Sequence, residues 1–234
     1  MNDVPTERRG IAWELVGILA VVAVFLVGFL IWAASPERGA ELQPPEAQTL
    51  DPELNLESGL MEDGRPYVGA ADAAVTVYEF GDFQCAHCGQ FVREEAAQIK
   101  ADYLASGKAR LVWVNFPIYG DESDQTAKVA ICASEQGRFW DVHDWLFANQ
   151  PSVPESGGFS NERLDQIAAA VGLDTTALES CLADPATADR LQADKDFGNE
   201  NSVGSTPSFL VGERLVVGGD ITELRAAMDA APNE

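Results

Sequence analysis

Four consecutive residues, Cys85-Ala86-His87-Cys88, carry the most evident chemistry of this chain. Two cysteines separated by two residues can close a local disulfide and reopen it by thiolate attack. They follow an apolar run, residues 75–80, that reads as a buried strand, and they open a segment, residues 89–105, that reads as an amphipathic helix. A helix N-terminus presents unpaired N–H groups and the positive end of the dipole, and both favour a thiolate over a thiol. Cys85 is therefore the expected nucleophile, at the cap and with the more exposed sulfur. Cys88, one turn in and more shielded, is the expected resolving thiol. An inert disulfide stapling the helix start is the plain alternative, although it would constrain only a four-residue ring.

Zinc sites and haem attachment sites use the same cysteine spacing. Gly89 follows Cys88 where the haem motif needs histidine. A structural zinc needs two further ligands at suitable spacing, and Cys132, Cys181 and His143 are scattered singly. No metal is expected, and no flavin, haem or nucleotide motif suggests a cofactor.

The elements that must position the motif follow from periodicity and punctuation. Residues 74–80 read as a first strand. Phe91, Val92, Ala96, Ile99 and Tyr103 fall at helical spacing up to Gly107, and residues 109–116 read as a second strand. A strand, a helix and a strand imply a parallel pair with a right-handed crossover. Helices follow, with Ser123, Ser160, Asp174 and Asp184-Pro185 as start signals. Residues 208–211 and 214–217 then read as a hairpin about Gly212-Glu213, of type II′, before a last helix over 221–230. The stripe of Trp140, His143, Leu146 and Phe147 reads as core, with His143 a satisfied, partly buried histidine.

The 234 residues suffice for one domain plus an appendage. Residues 15–34 contain no charge and have the length of a bilayer-spanning helix. Arg8 and Arg9 before them favour a cytoplasmic N-terminus, which places the remainder outside the cytoplasm. A cleaved signal peptide is the rival reading; its apolar region is usually shorter, and Pro36 is a poor context for cleavage after Ala34. Residues 35–64, acidic and interrupted by Pro36, Pro44, Pro45 and Pro52, read as a tether. With 38 acidic and 15 basic residues the net charge is −23. Such a surface repels nucleic acid and anionic lipid and serves solubility. Four cysteines in an exported domain suggest oxidised pairs. Of the three possible pairings, the local one joins Cys85 to Cys88 and leaves Cys132 with Cys181. That second pair would close a loop of about fifty residues, worth roughly 4 kcal/mol. It is expected as a structural bridge, with a second redox pair as the alternative.

Taken together, three stretches resemble the thioredoxin-fold, DsbA-like thiol–disulfide oxidoreductases. They are residues 79–88 (EFGDFQCAHC), the helix end at residues 132–140 (CASEQGRFW), and residues 204–209 (GSTPSF). The resemblance covers about residues 75–230. It implies an α/β, thioredoxin-like fold with a helical insertion, about residues 120–185, between β-α-β and β-β-α halves, preceded by one transmembrane helix. The corresponding boundaries are 1–10 for a cytoplasmic N-terminus, 11–34 for the anchor, 35–64 for the linker and 65–234 for the domain.

The resemblance also assigns roles. His87 occupies the position where DsbA-type motifs carry histidine, able to lower the Cys85 pKa and make the disulfide a stronger oxidant, unless it is merely solvated. Ala86 departs from the proline common in that family. Glu79 matches an acid that lies beneath the motif and relays protons, unless strand alternation turns it to solvent. Asp82 reads as a turn residue before the helix. Thr206-Pro207 matches the cis-proline loop, whose backbone can pair with an extended client peptide; an ordinary trans turn is the alternative. The implied activity is oxidation of exported client proteins with free thiols. A membrane partner that reduces quinone, related to DsbB or vitamin K epoxide reductase, is expected to reoxidise the chain. A reductase or isomerase of the same fold, or a non-catalytic peptide-binding or chaperone module, are the alternatives. Nothing in the sequence demands more than a monomer.

Overall fold

The computed structural model describes residues 17–26, 41–45, 54 and 56–231. It divides into two units, residues 1–40 and 41–234. In the first, residues 17–26 form a helix, α1, whose side chains are exposed. Among the described residues no helix is long and apolar enough to cross a membrane. The rest of the expected anchor, residues 11–16 and 27–34, lies outside the described residues, as do the cytoplasmic residues 1–10.

In the second unit, six strands among the described residues form one mixed sheet in the order β1-β2-β4-β3-β5-β6. At its centre, β3 (Val75–Gly81) runs parallel to β4 (Ala109–Asn115), with Val75 opposite Ala109 and Gly81 opposite Asn115. The crossover between them is α2 (Ala86–Glu94), α3 (Ala96–Ile99) and a π-helical turn, Lys100–Leu104. The expected single helix is thus interrupted at Glu95. It also begins at Ala86 rather than Gly89, because the Cys85 carbonyl already accepts the Gly89 N–H at 3.1 Å. The π turn inserts a residue into the helical period, so that Lys100, Tyr103 and Leu104 all turn inward.

β5 (Ser208–Val211) pairs antiparallel with β3, placing Phe209 opposite Glu79 and Ser208 opposite Phe80. It turns into β6 (Arg214–Val217) through Gly212, whose φ of 59° suits the first position of a II′ turn. α9 (Ile221–Ala230) closes the chain, with Asp220 accepting from the Thr222 and Glu223 N–H groups. At the other edge lie β1 (Ser58–Leu60) and β2 (Pro66–Gly69), which sequence reading did not anticipate. β1 falls inside the segment expected as linker. Three residues containing a glycine carry no detectable period, and cross-strand pairing with β2 supplies the structure.

The helical block comprises α4 (Asp121–Glu135), α5 (Phe139–Ala148), α6 (Asn161–Ala170), α7 (Thr175–Ala183) and α8 (Pro185–Glu200). Asp174 and Asp184 cap α7 and α8 through their side chains, as their positions suggest. Ser160 takes the N-cap place of α6 without a side-chain cap bond. α4 starts two residues before Ser123, because the Glu155 carboxylate accepts the Glu122 and Ser123 N–H groups from a neighbouring loop.

A disulfide between Cys132 and Cys181 joins α4 to α7 across 49 residues. Replacing both cysteines by alanine is expected to lower stability by about 2–4 kcal/mol in denaturant unfolding. Thiol exchange at Cys85 is expected to persist in that variant; its loss would instead make the bridge a second redox pair.

Candidate active site

The end of β3 delivers the motif to the start of α2. Cys85 stands at the N-cap with extended backbone (φ −73°, ψ 116°) and no side-chain cap bond, which leaves its sulfur for chemistry. Both thiols are unpaired and buried, Cys85 1 % and Cys88 0 % exposed. The expected open nucleophile is therefore a covered one. Cys85 Sγ donates to the Thr206 carbonyl at 3.2 Å.

The two sulfurs differ sharply in acidity. A hydrogen bond from the Cys88 thiol, helped by the Thr206 hydroxyl and the Cys88 and His87 N–H groups, brings the Cys85 pKa down to about 5. The Thr206 hydroxyl has no partner among the described residues while Cys85 is a thiol. It becomes a donor to the sulfur once the proton leaves. Burial, followed by the hydrogen bond and charge of Cys85, pushes Cys88 well above the usual thiol range. At neutral pH the pair is one thiolate and one thiol, the arrangement that attack and resolution require.

Four expected residues surround them. Glu79 is buried at 2 % exposure, and burial raises its pKa to about 8, a rise that Lys100 partly opposes. Its Oε1 has no hydrogen-bond partner among the described residues. The Thr206–Pro207 peptide bond is cis. His87 is exposed and reaches Cys85 through its backbone N–H.

Other residues escaped sequence reading. Asp82 is more than a turn residue. It is buried, and its carboxylate accepts from the Gln84 N–H, the Ile118 N–H and the Ser123 hydroxyl at 2.8 Å each. Buried Gln84 donates to Ser123 and Glu155, and accepts from the Glu155 N–H. Gln150 Nε2 donates to the Phe83 and Cys85 carbonyls, both at 2.8 Å, and so clamps the loop that carries the nucleophile. Burial, followed by the neighbouring Cys85 sulfur, raises the Tyr119 pKa. Two apolar side chains, Ile118 and Tyr119, stand exposed there. Asp82, Gln84, Tyr119 and Ser123 lie within a few positions of the motif or of Gly120, whereas Gln150 and Glu155 carried no such signal.

His143 proves fully enclosed, edge-on to Trp113 at 5.0 Å and to Phe83 at 5.9 Å. Cys132 and Cys181 are held in their bridge. Among the described residues no group of three or more His, Cys, Asp or Glu could hold a metal ion.

A thioredoxin family model matches residues 62–230. The chain belongs to the thioredoxin family. Within it, the chain is similar to DsbA-type thiol–disulfide oxidoreductases, and it spans only about a quarter of the length of the first curated relatives it matches. Disulfide bond formation protein D of Bacillus subtilis is 27% identical over 159 residues, covering 65% of this chain and 70% of that protein. The crystal structure of oxidised BdbD from the same organism superposes with a TM-score of 0.66 at 25% identity, covering 74% of this chain and 96% of that one. The Na(+)/H(+) antiporter NhaA 3 of Salinispora tropica is 35% identical over 167 residues; the match covers 70% of this chain but only 24% of the antiporter. The chemistry that the Cys85–Cys88 geometry makes available is exchange of a disulfide with an outside thiol pair.

Proposed function

We propose that this oxidoreductase introduces disulfide bonds into exported proteins. The observation that carries the reading is the split between the two cysteines: a Cys85 held near pKa 5 beside a Cys88 held high. Stabilising the thiolate stabilises the reduced form, and a disulfide whose reduced form is stable is a strong oxidant. A client thiolate attacks Cys85 Sγ, the Cys85–Cys88 bond breaks, and Cys88 leaves as a thiolate that takes the Glu79 proton. A second client thiolate then attacks the client sulfur of the mixed disulfide. Cys85 departs as a thiolate, and the client has lost two electrons to the protein.

Exposed Ile118 and Tyr119, together with the Thr206-Pro207 loop, form the surface that meets an extended client. The uncharged run of residues 15–34 serves as a single-pass anchor that keeps the domain on the extracytoplasmic side of the cell membrane. Reoxidation falls to a quinone-reducing membrane protein, DsbB-like or related to vitamin K epoxide reductase. The domain acts as a monomer.

The reduction potential of residues 36–234, equilibrated against glutathione buffers, tests the direction of electron flow. A value on the order of −120 mV is the expected result. A value on the order of −270 mV would make the chain a reductase.

A further inference from the structure

Part of the segment expected as a tether is docked. Residues 41–45 form no helix or strand, yet Leu42 packs against the core and Gln43 is held by its backbone. The side chain of Asn149, at the C-terminal end of α5, accepts from the Gln43 N–H and donates to the Gln43 carbonyl, both at 2.8 Å. One carboxamide thereby reproduces a rung of a β-ladder. It is itself fixed: Nδ2 also donates to the Trp145 carbonyl at 2.8 Å, and Arg163 donates to Oδ1 at 3.3 Å. Ordering a chain segment costs conformational entropy. The run Gln43-Pro44-Pro45 lowers that cost, because a residue before proline is already biased to extended backbone and each proline has its φ set. The next residue, Gln150, meets the motif. Its Nε2 donates to the Phe83 and Cys85 carbonyls at 2.8 Å. A Cβ at Gly89 would collide with the Gln150 side-chain oxygen, so this carboxamide lies directly on the first turn of α2. Pro44 and Pro45 line one groove of about 790 Å³ with Gln150, Ala86 and Phe147. Adjacent side chains at the end of α5 thus bind the docked segment and the loop of the nucleophile.

We propose that residues 41–45 are a strap of the active site: docked through Asn149, they hold Gln150 against the Cys85 carbonyl and so set the reactivity of the Cys85 sulfur. The inference rests on Cys85 being the reactive thiol. Its carbonyl accepts both the Gln150 amide and the Gly89 N–H, the latter at 3.1 Å as the first bond of α2. Holding that carbonyl fixes the turn whose His87 and Cys88 N–H groups meet the sulfur and favour its thiolate. Release of the strap opens the groove to water, which competes for the Gln150 amide and loosens the turn. Asn149 and Gln150 are positioning residues that act through the backbone of the motif loop.

The test uses the full chain with Cys85 and Cys88 reduced. Leu42→Asn releases the strap, adds no charge near the thiolate, and leaves every residue of α5 and of the motif in place. Hydrogen exchange is expected to show a slow Gln43 amide in the wild type and a fast one in Leu42→Asn. The pH midpoint of iodoacetamide alkylation at Cys85 is expected to rise by about half a unit to one unit, the worth of one net hydrogen bond. Gln150→Leu is expected to give the same rise, and the double variant no more than either, because both remove one interaction. A fast Gln43 amide in the wild type overturns the strap. A released strap with an unmoved midpoint, or rises that add in the double variant, overturns its action through Gln150. Where Gln150→Leu does not fold, Asn149→Leu takes its place. It keeps the volume, loses both bonds to Gln43, and is expected to match the rise of Leu42→Asn and add nothing to it; a rise that adds, or none, overturns the proposal. A wild-type Cys85 with the midpoint of an ordinary thiol overturns the reactive-thiol reading itself, and the strap's role with it.

Discussion

Cys85→Ser is expected to abolish thiol–disulfide exchange, and Cys88→Ser to leave a protein that reacts once and stops. The reason is the division of labour between the sulfurs. With its pKa at about 5, Cys85 is almost wholly thiolate at neutral pH. Serine at the same place has neither a comparable acidity nor a sulfur with which to form the mixed disulfide, so a loss of at least about a thousandfold is expected. Cys88 is a thiol under the same conditions. Cys88→Ser therefore keeps the attack and loses the resolution, and Cys85–glutathione accumulates as an adduct visible by intact mass. The Cys88 thiol also supplies the largest contribution to the low Cys85 pKa. Iodoacetamide alkylation of the reduced wild type is expected to fall on Cys85 and to rise with a midpoint near pH 5. In Cys88→Ser the midpoint moves upward. Turnover by Cys85→Ser, or alkylation at Cys88 in the wild type, would sink this assignment.

What could be read from the residues, and what could not, divides along physical lines. Features written locally were legible. The motif at a strand-to-helix junction, the two central strands, the hairpin at Gly212, and the aspartate caps at 174 and 184 each depend on a few adjacent residues. The Cys132–Cys181 bridge followed because the motif claims the other two cysteines. Features that depend on distant partners were not legible. Lys100 lies beside the inward face that Ala96, Ile99 and Tyr103 set, yet a lysine there gives no sign in the sequence that it is buried. Asp144 lies beside the aromatic stripe of α5, and its sequence alone gives no hint that it is buried and that its charge acts on a lysine of the crossover. Glu155 lies 71 residues from Gln84, in a loop without periodicity, yet it anchors both the motif loop and the start of α4. Cys85 at a helix cap suggested exposure, but it is buried and its sulfur meets the Thr206 loop.

The stability of the oxidised protein is expected to fall as pH rises from 5 to 8, and Glu79→Gln to remove most of that slope. A carboxyl raised from an ordinary 4.5 to about 8 binds its proton more tightly in the native state than in the unfolded one. Stability therefore falls with rising pH over that window. The contribution is fully present below the unfolded value and is lost as pH passes through about 8. At roughly 1.4 kcal/mol per unit, the rise sets an upper bound of about 5 kcal/mol, which relaxation around the carboxylate reduces. His143 acts in the opposite sense below its ordinary range, because burial keeps it neutral. The difference between wild type and Glu79→Gln isolates Glu79 from it. Reduction adds a second opposing group. Cys85, lowered to about 5, binds its proton less tightly in the native state. Its contribution is present above the unfolded thiol value and is lost as pH falls through about 5. The reduced protein is thus expected to show a flatter profile than the oxidised one, and urea unfolding of both forms at half-unit pH steps measures the difference. Parallel profiles would mean that Cys85 has an ordinary thiol pKa. A Glu79→Gln variant as steep as the wild type would mean that the carboxyl ionises without cost where it stands.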